Sequence, residues 1–162
     1  MNEQTMRVLT MVALLGSALV AGVFFAFSTF VMKGLGYLPA ARGAEAMNAI
    51  NVAAPTAGLM SAMFGTALVC LVLGSASVIR MGGDDGALYR VLGCAVYMVT
   101  ILVTIFYHVP RNDALAALDP ASAEGMAYWK EYLVQWTTWN HVRTVAPLAA
   151  AALLAIALRK AG

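Results

Sequence analysis

The chain has 162 residues, of which 62% are apolar and only 11% charged, with a formal net charge of +2. Soluble domains carry roughly 25% charged residues, so this composition excludes a mostly water-facing surface. The few scattered cations exclude a nucleic-acid-binding face. What remains is a single integral membrane domain, whose Cys70 and Cys94 lie inside apolar runs at non-metal spacing and read as buried thiols.

Val8 to Met32 contains no charge and exceeds the roughly 20 residues that cross a hydrocarbon core. It reads as a first transmembrane helix. A signal peptide is disfavoured by the length of the run and by Leu19-Val20-Ala21, a poor cleavage site. Ala13, Ser17 and Ala21 form a small-residue stripe suited to close packing, and Phe24, Phe25, Phe27 and Phe30 thicken the far end. Lys33 to Asn51 is polar, with a helical second half in which Glu45, Asn48 and Asn51 share one broad face. That face is either solvated or, at Asn51, turned towards a buried partner.

Val52 to Ile79 is the second span, with Pro55 near its start and a small face of Gly58, Ala62 and Gly65. Gly82 to Gly86 is a turn. Val91 to Val109 is the third span. Its stripe of Tyr97, Thr100, Thr104 and His108 should face the bundle interior, unless the threonines only bond back to their own helix. Pro110 is expected to end that helix at Val109. Asp119-Pro120 reads as the cap and first residue of a helix running into the membrane. On it, Trp129, Trp136, Asn140 and Arg143 share a face, flanked by Tyr132 and Trp139, while His141 points elsewhere. Pro147 lies inside the fourth span, Val142 to Leu158, and should kink it and free the Arg143 carbonyl.

The expected architecture is an all-α, integral membrane four-helix bundle. A partly helical cap forms from the connections between spans one and two and between spans three and four. Both termini share one side, with Arg7, Arg80, Arg90, Arg159 and Lys160; the other side has Lys33, Arg42, Arg111, Lys130 and Arg143. Setting Arg111 and Arg143 aside as site residues favours cytoplasmic termini in a plasma membrane. Asn51, His108 and Asn140 then fall at one extracytoplasmic mouth. The cluster from Trp136 to Arg143 lies there too. It is either a site or an interfacial belt, with tryptophans at headgroup level and a snorkelling arginine.

Three stretches carry a family resemblance: Met47-Asn48-Ala49-Ile50-Asn51, Val109-Pro110-Arg111-Asn112-Asp113, and Trp136 through Thr144. In that order they resemble the anthrone oxygenase-like family of small four-helix membrane proteins, over nearly the whole chain. The resemblance implies oxidation of anthrones to anthraquinones with molecular oxygen. The run His108-Val109-Pro110-Arg111-Asn112 departs from the family's Asn-Val-Pro-Leu-Asn, placing an imidazole and a guanidinium where an amide and an apolar residue are expected.

On this reading the protein is a membrane oxygenase for a small hydrophobic aromatic substrate, working without a cofactor. A carbon acid needs a base, an oxyanion donor and an apolar pocket. His141 or His108 would be the base, near neutral pH. Arg143, Asn140 and Asn51 would hold the oxyanion, with Asn48, Asn112 and Glu45 as further substrate contacts. Trp136, Trp139 and the span-one phenylalanines would sandwich the ring. A second possibility is a redox protein holding a transition metal or haem through His108, His141 and Glu45. A third is a non-enzymatic small-molecule binder or a subunit of a membrane assembly. The small-residue faces also permit a homodimer.

Overall fold

The charge-free runs form long helices in the computed structural model, which describes residues 1–160. The elements are α1 (Glu3–Gly36), α2 (Ala40–Ala53), α3 (Ala57–Ile79), α4 (Ala87–Ala116) and α5 (Ala123–Lys160). All but α2 are long and apolar enough to cross a membrane, and no strand occurs among the described residues. The four pack in the cyclic order α1, α3, α4, α5. Glu3, Arg7, the α3–α4 turn and Lys160 border one polar recess, so both ends of the described chain lie at one end of the bundle. There Arg90 is buried against Asp84, and its Nε donates to Ser77 Oγ at 3.2 Å.

The 38 residues of α5 extend about 57 Å at 1.5 Å per residue, well beyond a hydrocarbon core of about 30 Å. Its N-terminal half therefore projects as a cap, together with α2 and the outer end of α4. Two apolar clusters result. One fills the membrane half and includes Val20, Phe24, Met63, Leu73, Tyr97 and Leu154. The other lies in the cap and includes Met32, Met47, Leu115, Trp129, Tyr132 and Trp136. Gly43 lets α2 settle on the second cluster: a Cβ there would stand 2.8 Å from the Trp129 ring and 2.9 Å from the Leu35 carbonyl oxygen.

Each membrane helix except α5 widens into one π-helical turn: Phe27–Val31, Ser61–Gly65 and Thr104–His108. Such turns displace backbone hydrogen bonds and recur at functional sites. Here side chains engage carbonyls beside or within them. Asn140 Nδ2 donates to the Phe24 carbonyl at 2.8 Å, and the Tyr97 hydroxyl donates to that of Met63 at 2.8 Å. His108 Nδ1 lies 3.3 Å from the Val103 carbonyl.

The inward stripe of α4 is as expected, with Tyr97, Thr100 and His108 buried; Thr104 also bonds back to the Thr100 carbonyl at 2.8 Å. So is the small stripe of α1, and both cysteines are buried free thiols. Four boundaries and faces differ from expectation. The second span starts at Ala57, because Pro55 breaks the chain after α2 and Thr56 caps the new helix by accepting from Leu59 N at 3.2 Å. Gly58 and Gly65 face outwards, while Met63, Thr66 and Cys70 form the inward face at ordinary helical spacing. Helix α4 continues past Pro110 to Ala116. The widened turn just before it has already interrupted the regular ladder that a proline would break. Helix α5 begins at Ala123, because Ser122 Oγ accepts from Gly125 N at 2.9 Å; Asp119 instead closes the turn ahead, accepting from Ala121 N at 2.9 Å.

Candidate functional site

Between the two apolar clusters lies a cavity of about 530 Å³, within the range of small-molecule sites. Phe27, Met63 and Thr104, one from each π turn, border it. Its walls are otherwise mostly apolar, and its polar groups are Arg143, Asn48, Asn51, Asn112 and Asp113.

Arg143 is 5% exposed. Its guanidinium lies between two aromatic rings, 4.2 Å from the Phe24 centroid and 4.8 Å from that of Trp136. Asn140 Oδ1 accepts from its Nε at 3.2 Å and its Nη2 at 2.8 Å. Asn140 is wholly buried, and its orientation is determined: Nδ2 donates to the Phe24 carbonyl and to Ser28 Oγ, both at 2.8 Å. Ser28 and Thr144 hydroxyls meet at 2.9 Å, and Thr144 donates to the Asn140 carbonyl at 3.0 Å. One edge of the guanidinium is thus occupied and both faces are covered. Among the described residues no carboxylate pairs with it: the ion pairs are Arg42–Glu45 and Arg90–Asp84. An uncompensated buried cation is costly, so an anion in the cavity would be strongly favoured.

A second chain of donors sets the roof. Trp136 Nε1, which can only donate, reaches Asn112 Oδ1 at 3.1 Å, joined by the Tyr132 hydroxyl at 2.7 Å. Asn112 Nδ2 must therefore donate, and it meets Asn51 Oδ1 at 3.1 Å. Among the described residues this leaves Asn51 Nδ2 a buried donor without a partner, and Asn48 Oδ1 is a buried acceptor without one. Unpartnered buried polar groups are rare and call for an explanation; here both residues border an open cavity.

The remaining sequence candidates lie elsewhere. His108 is 1% exposed and packs edge-on against Trp136 at 4.9 Å, outside the cavity lining. Its Nε2 lies 3.3 Å from the Trp136 carbonyl, so both ring nitrogens face backbone oxygens. His141 is exposed on the outward face of α5. Trp139 is 42% exposed and stacks on Tyr107 at 4.7 Å, with Arg111 over the other ring at 4.5 Å. Glu45 pairs with Arg42 at 2.8 Å outside the cavity. His108, His141 and Glu45 are therefore not brought together, and no group of three potential metal-ligating His, Cys, Asp or Glu residues occurs among the described residues. Ser28 and the Phe24 carbonyl were not apparent from sequence, since a lone serine in an apolar run carries no signal until its neighbour across the bundle is known.

The anthrone oxygenase family profile matches residues 56–153, more than half of the chain. The chain belongs to the anthrone oxygenase family. No curated protein and no solved structure matches it. In this anthrone oxygenase-family chain the matched region holds α3, α4 and most of α5, and with them Asn112, Asp113, Trp136, Asn140 and Arg143. Asn48, Asn51 and Phe24 complete the cavity from outside it. The arrangement combines a cation, an amide donor, a carboxylate and mostly apolar walls. Such a set can bind a planar aromatic molecule and stabilise negative charge developing on its oxygen.

Proposed function

We propose that the protein is a membrane-embedded oxygenase of small aromatic carbon acids of the anthrone type. The observation that carries this reading is Arg143, a buried guanidinium with no carboxylate partner among the described residues, held between Phe24 and Trp136 beside an open cavity. An anthrone is neutral and apolar, partitions into the bilayer, and becomes an anion only when its methylene loses a proton. A site with a fixed cation and fixed amide donor binds the anion more tightly than the neutral ketone, and such differential binding is catalysis.

The reaction begins with heterolysis of the methylene C–H bond. The electron pair moves into the ring system, and the charge appears on the carbonyl oxygen, where Arg143 and Asn51 Nδ2 receive it. The electron-rich anion then reduces molecular oxygen. One oxygen atom enters the former methylene as the new carbonyl, and the other leaves as water. The sum is anthrone plus O₂ giving anthraquinone plus water. This sequence needs no metal or haem, because the anion itself supplies the electrons. We place the termini on the cytoplasmic side of the plasma membrane, supported by Arg7, Arg80, Arg90, Arg159 and Lys160 at that end against Lys33, Arg42 and Lys130 at the other once Arg111 and Arg143 are assigned to aromatic contacts.

Purified protein in lipid nanodiscs should accelerate both oxygen uptake and quinone formation from anthrone, and Arg143→Met should cut the rate by about 10²–10³, the usual worth of an oxyanion donor. Equal rates with wild-type protein, variant and empty nanodiscs would overturn the proposal.

A further inference from the structure

The reading above requires a proton acceptor, and the cavity offers one that neither histidine supplies. His108 directs both ring nitrogens at backbone carbonyls, His141 lies on the outward face, and Glu45 is paired with Arg42. Among the described residues Asp113 is the one carboxylate that borders the cavity. Val109, Asn112 and Ala116 border it too, so Asp113 belongs to the face of α4 that forms this wall. Among the described residues its carboxylate has no ion-pair partner and accepts no hydrogen bond. Its neighbour Asn112 fixes the Asn51 donor, so the same turn of α4 serves both sides of a proton transfer.

We propose that Asp113 is the catalytic base. The inference rests on the carbon-acid reading above. In an anthrone the methylene and the carbonyl lie at opposite edges of the central ring. A substrate whose oxygen meets Arg143 and Asn51 therefore needs its base elsewhere on the cavity lining, and Asp113 lies on that lining. The methylene C–H bond breaks, the proton passes to a carboxylate oxygen of Asp113, and the electron pair becomes the enolate whose oxygen Arg143 holds. Molecular oxygen then oxidises the enolate, and Asp113, which is solvent-exposed at the cavity rim, returns its proton to water.

The proton step can be read without oxygen. Anthrone is incubated anaerobically in deuterated buffer with the full-length protein in nanodiscs, and loss of the methylene proton signal is followed by NMR. Wild-type protein should accelerate exchange. Asp113→Asn should slow it by about 10²–10⁴, the usual worth of a general base, with unchanged anthrone binding and an unchanged unfolding midpoint. Asp113→Glu should restore part of the rate. If Asp113→Asn exchanges like wild type while quinone formation still depends on Arg143, Asp113 is not the base and the oxygenase reading stands. If wild type accelerates neither exchange nor oxygen uptake, both fall.

Discussion

Replacing Arg143 with methionine should separate function from stability. The guanidinium is buried without a counter-ion among the described residues, and its removal relieves a desolvation cost of several kcal/mol, about 5. Against this stand two charge-assisted hydrogen bonds to Asn140, at 3.2 and 2.8 Å, together about 4 kcal/mol. Contacts with the Phe24 and Trp136 rings contribute about 1 kcal/mol each. The terms nearly cancel, so Arg143→Met should destabilise the fold by only about 1 kcal/mol. Loss of one preorganised oxyanion donor, by contrast, costs about 10²–10³ in turnover. The assays are SDS-induced unfolding in micelles, followed by tryptophan fluorescence, and quinone formation from anthrone. A stability loss above about 4 kcal/mol would refute the reasoning, because Arg143 would then hold the bundle together rather than hold a charge ready. Unchanged turnover would refute it from the other side.

Three further outcomes are expected. His141→Gln should leave turnover within about twofold of wild type, because the side chain faces outwards from α5; quinone formation rates check this against the usual 10²–10⁴ loss for a general base. Asn112→Leu should raise the KM for anthrone by about tenfold, one lost hydrogen bond of about 1.4 kcal/mol, because it frees Asn51 and orphans the Trp136 and Tyr132 donors. Gly43→Ala should destabilise the cap by about 1–3 kcal/mol, the usual cost of overpacking, since its Cβ would meet the Trp129 ring at 2.8 Å. Faster proteolysis within Lys33–Asn51, with the membrane helices intact, is the measurement.

The amino-acid sequence by itself determined the bundle. Runs without charge must bury their backbone polar groups in helices, whatever their neighbours do. It also determined two inward faces, because Tyr97, Thr100 and His108 on α4, and Trp129, Trp136, Asn140 and Arg143 on α5, recur at helical spacing and are all buried. The belt alternative for the Trp136–Arg143 stretch divides along the same helix. Trp136, Asn140 and Arg143 turn in, while Trp139 and His141 turn out.

Only the tertiary structure decided which polar groups meet. Glu45, Asn48 and Asn51 step by three residues, and each step falls about 60° short of a full turn. Glu45 thus drifts to the outer surface while Asn48 and Asn51 reach the cavity. His141 is two residues from Arg143 in the chain and on a different side of the helix. The π turns leave no periodic trace, since a single extra residue is paid for by contacts from other helices: Asn140 on the Phe24 carbonyl and Tyr97 on that of Met63. Those contacts join residues far apart in sequence. Phe27, Met63 and Thr104, one from each π turn, border the cavity, and among the described residues no carboxylate pairs with Arg143 there.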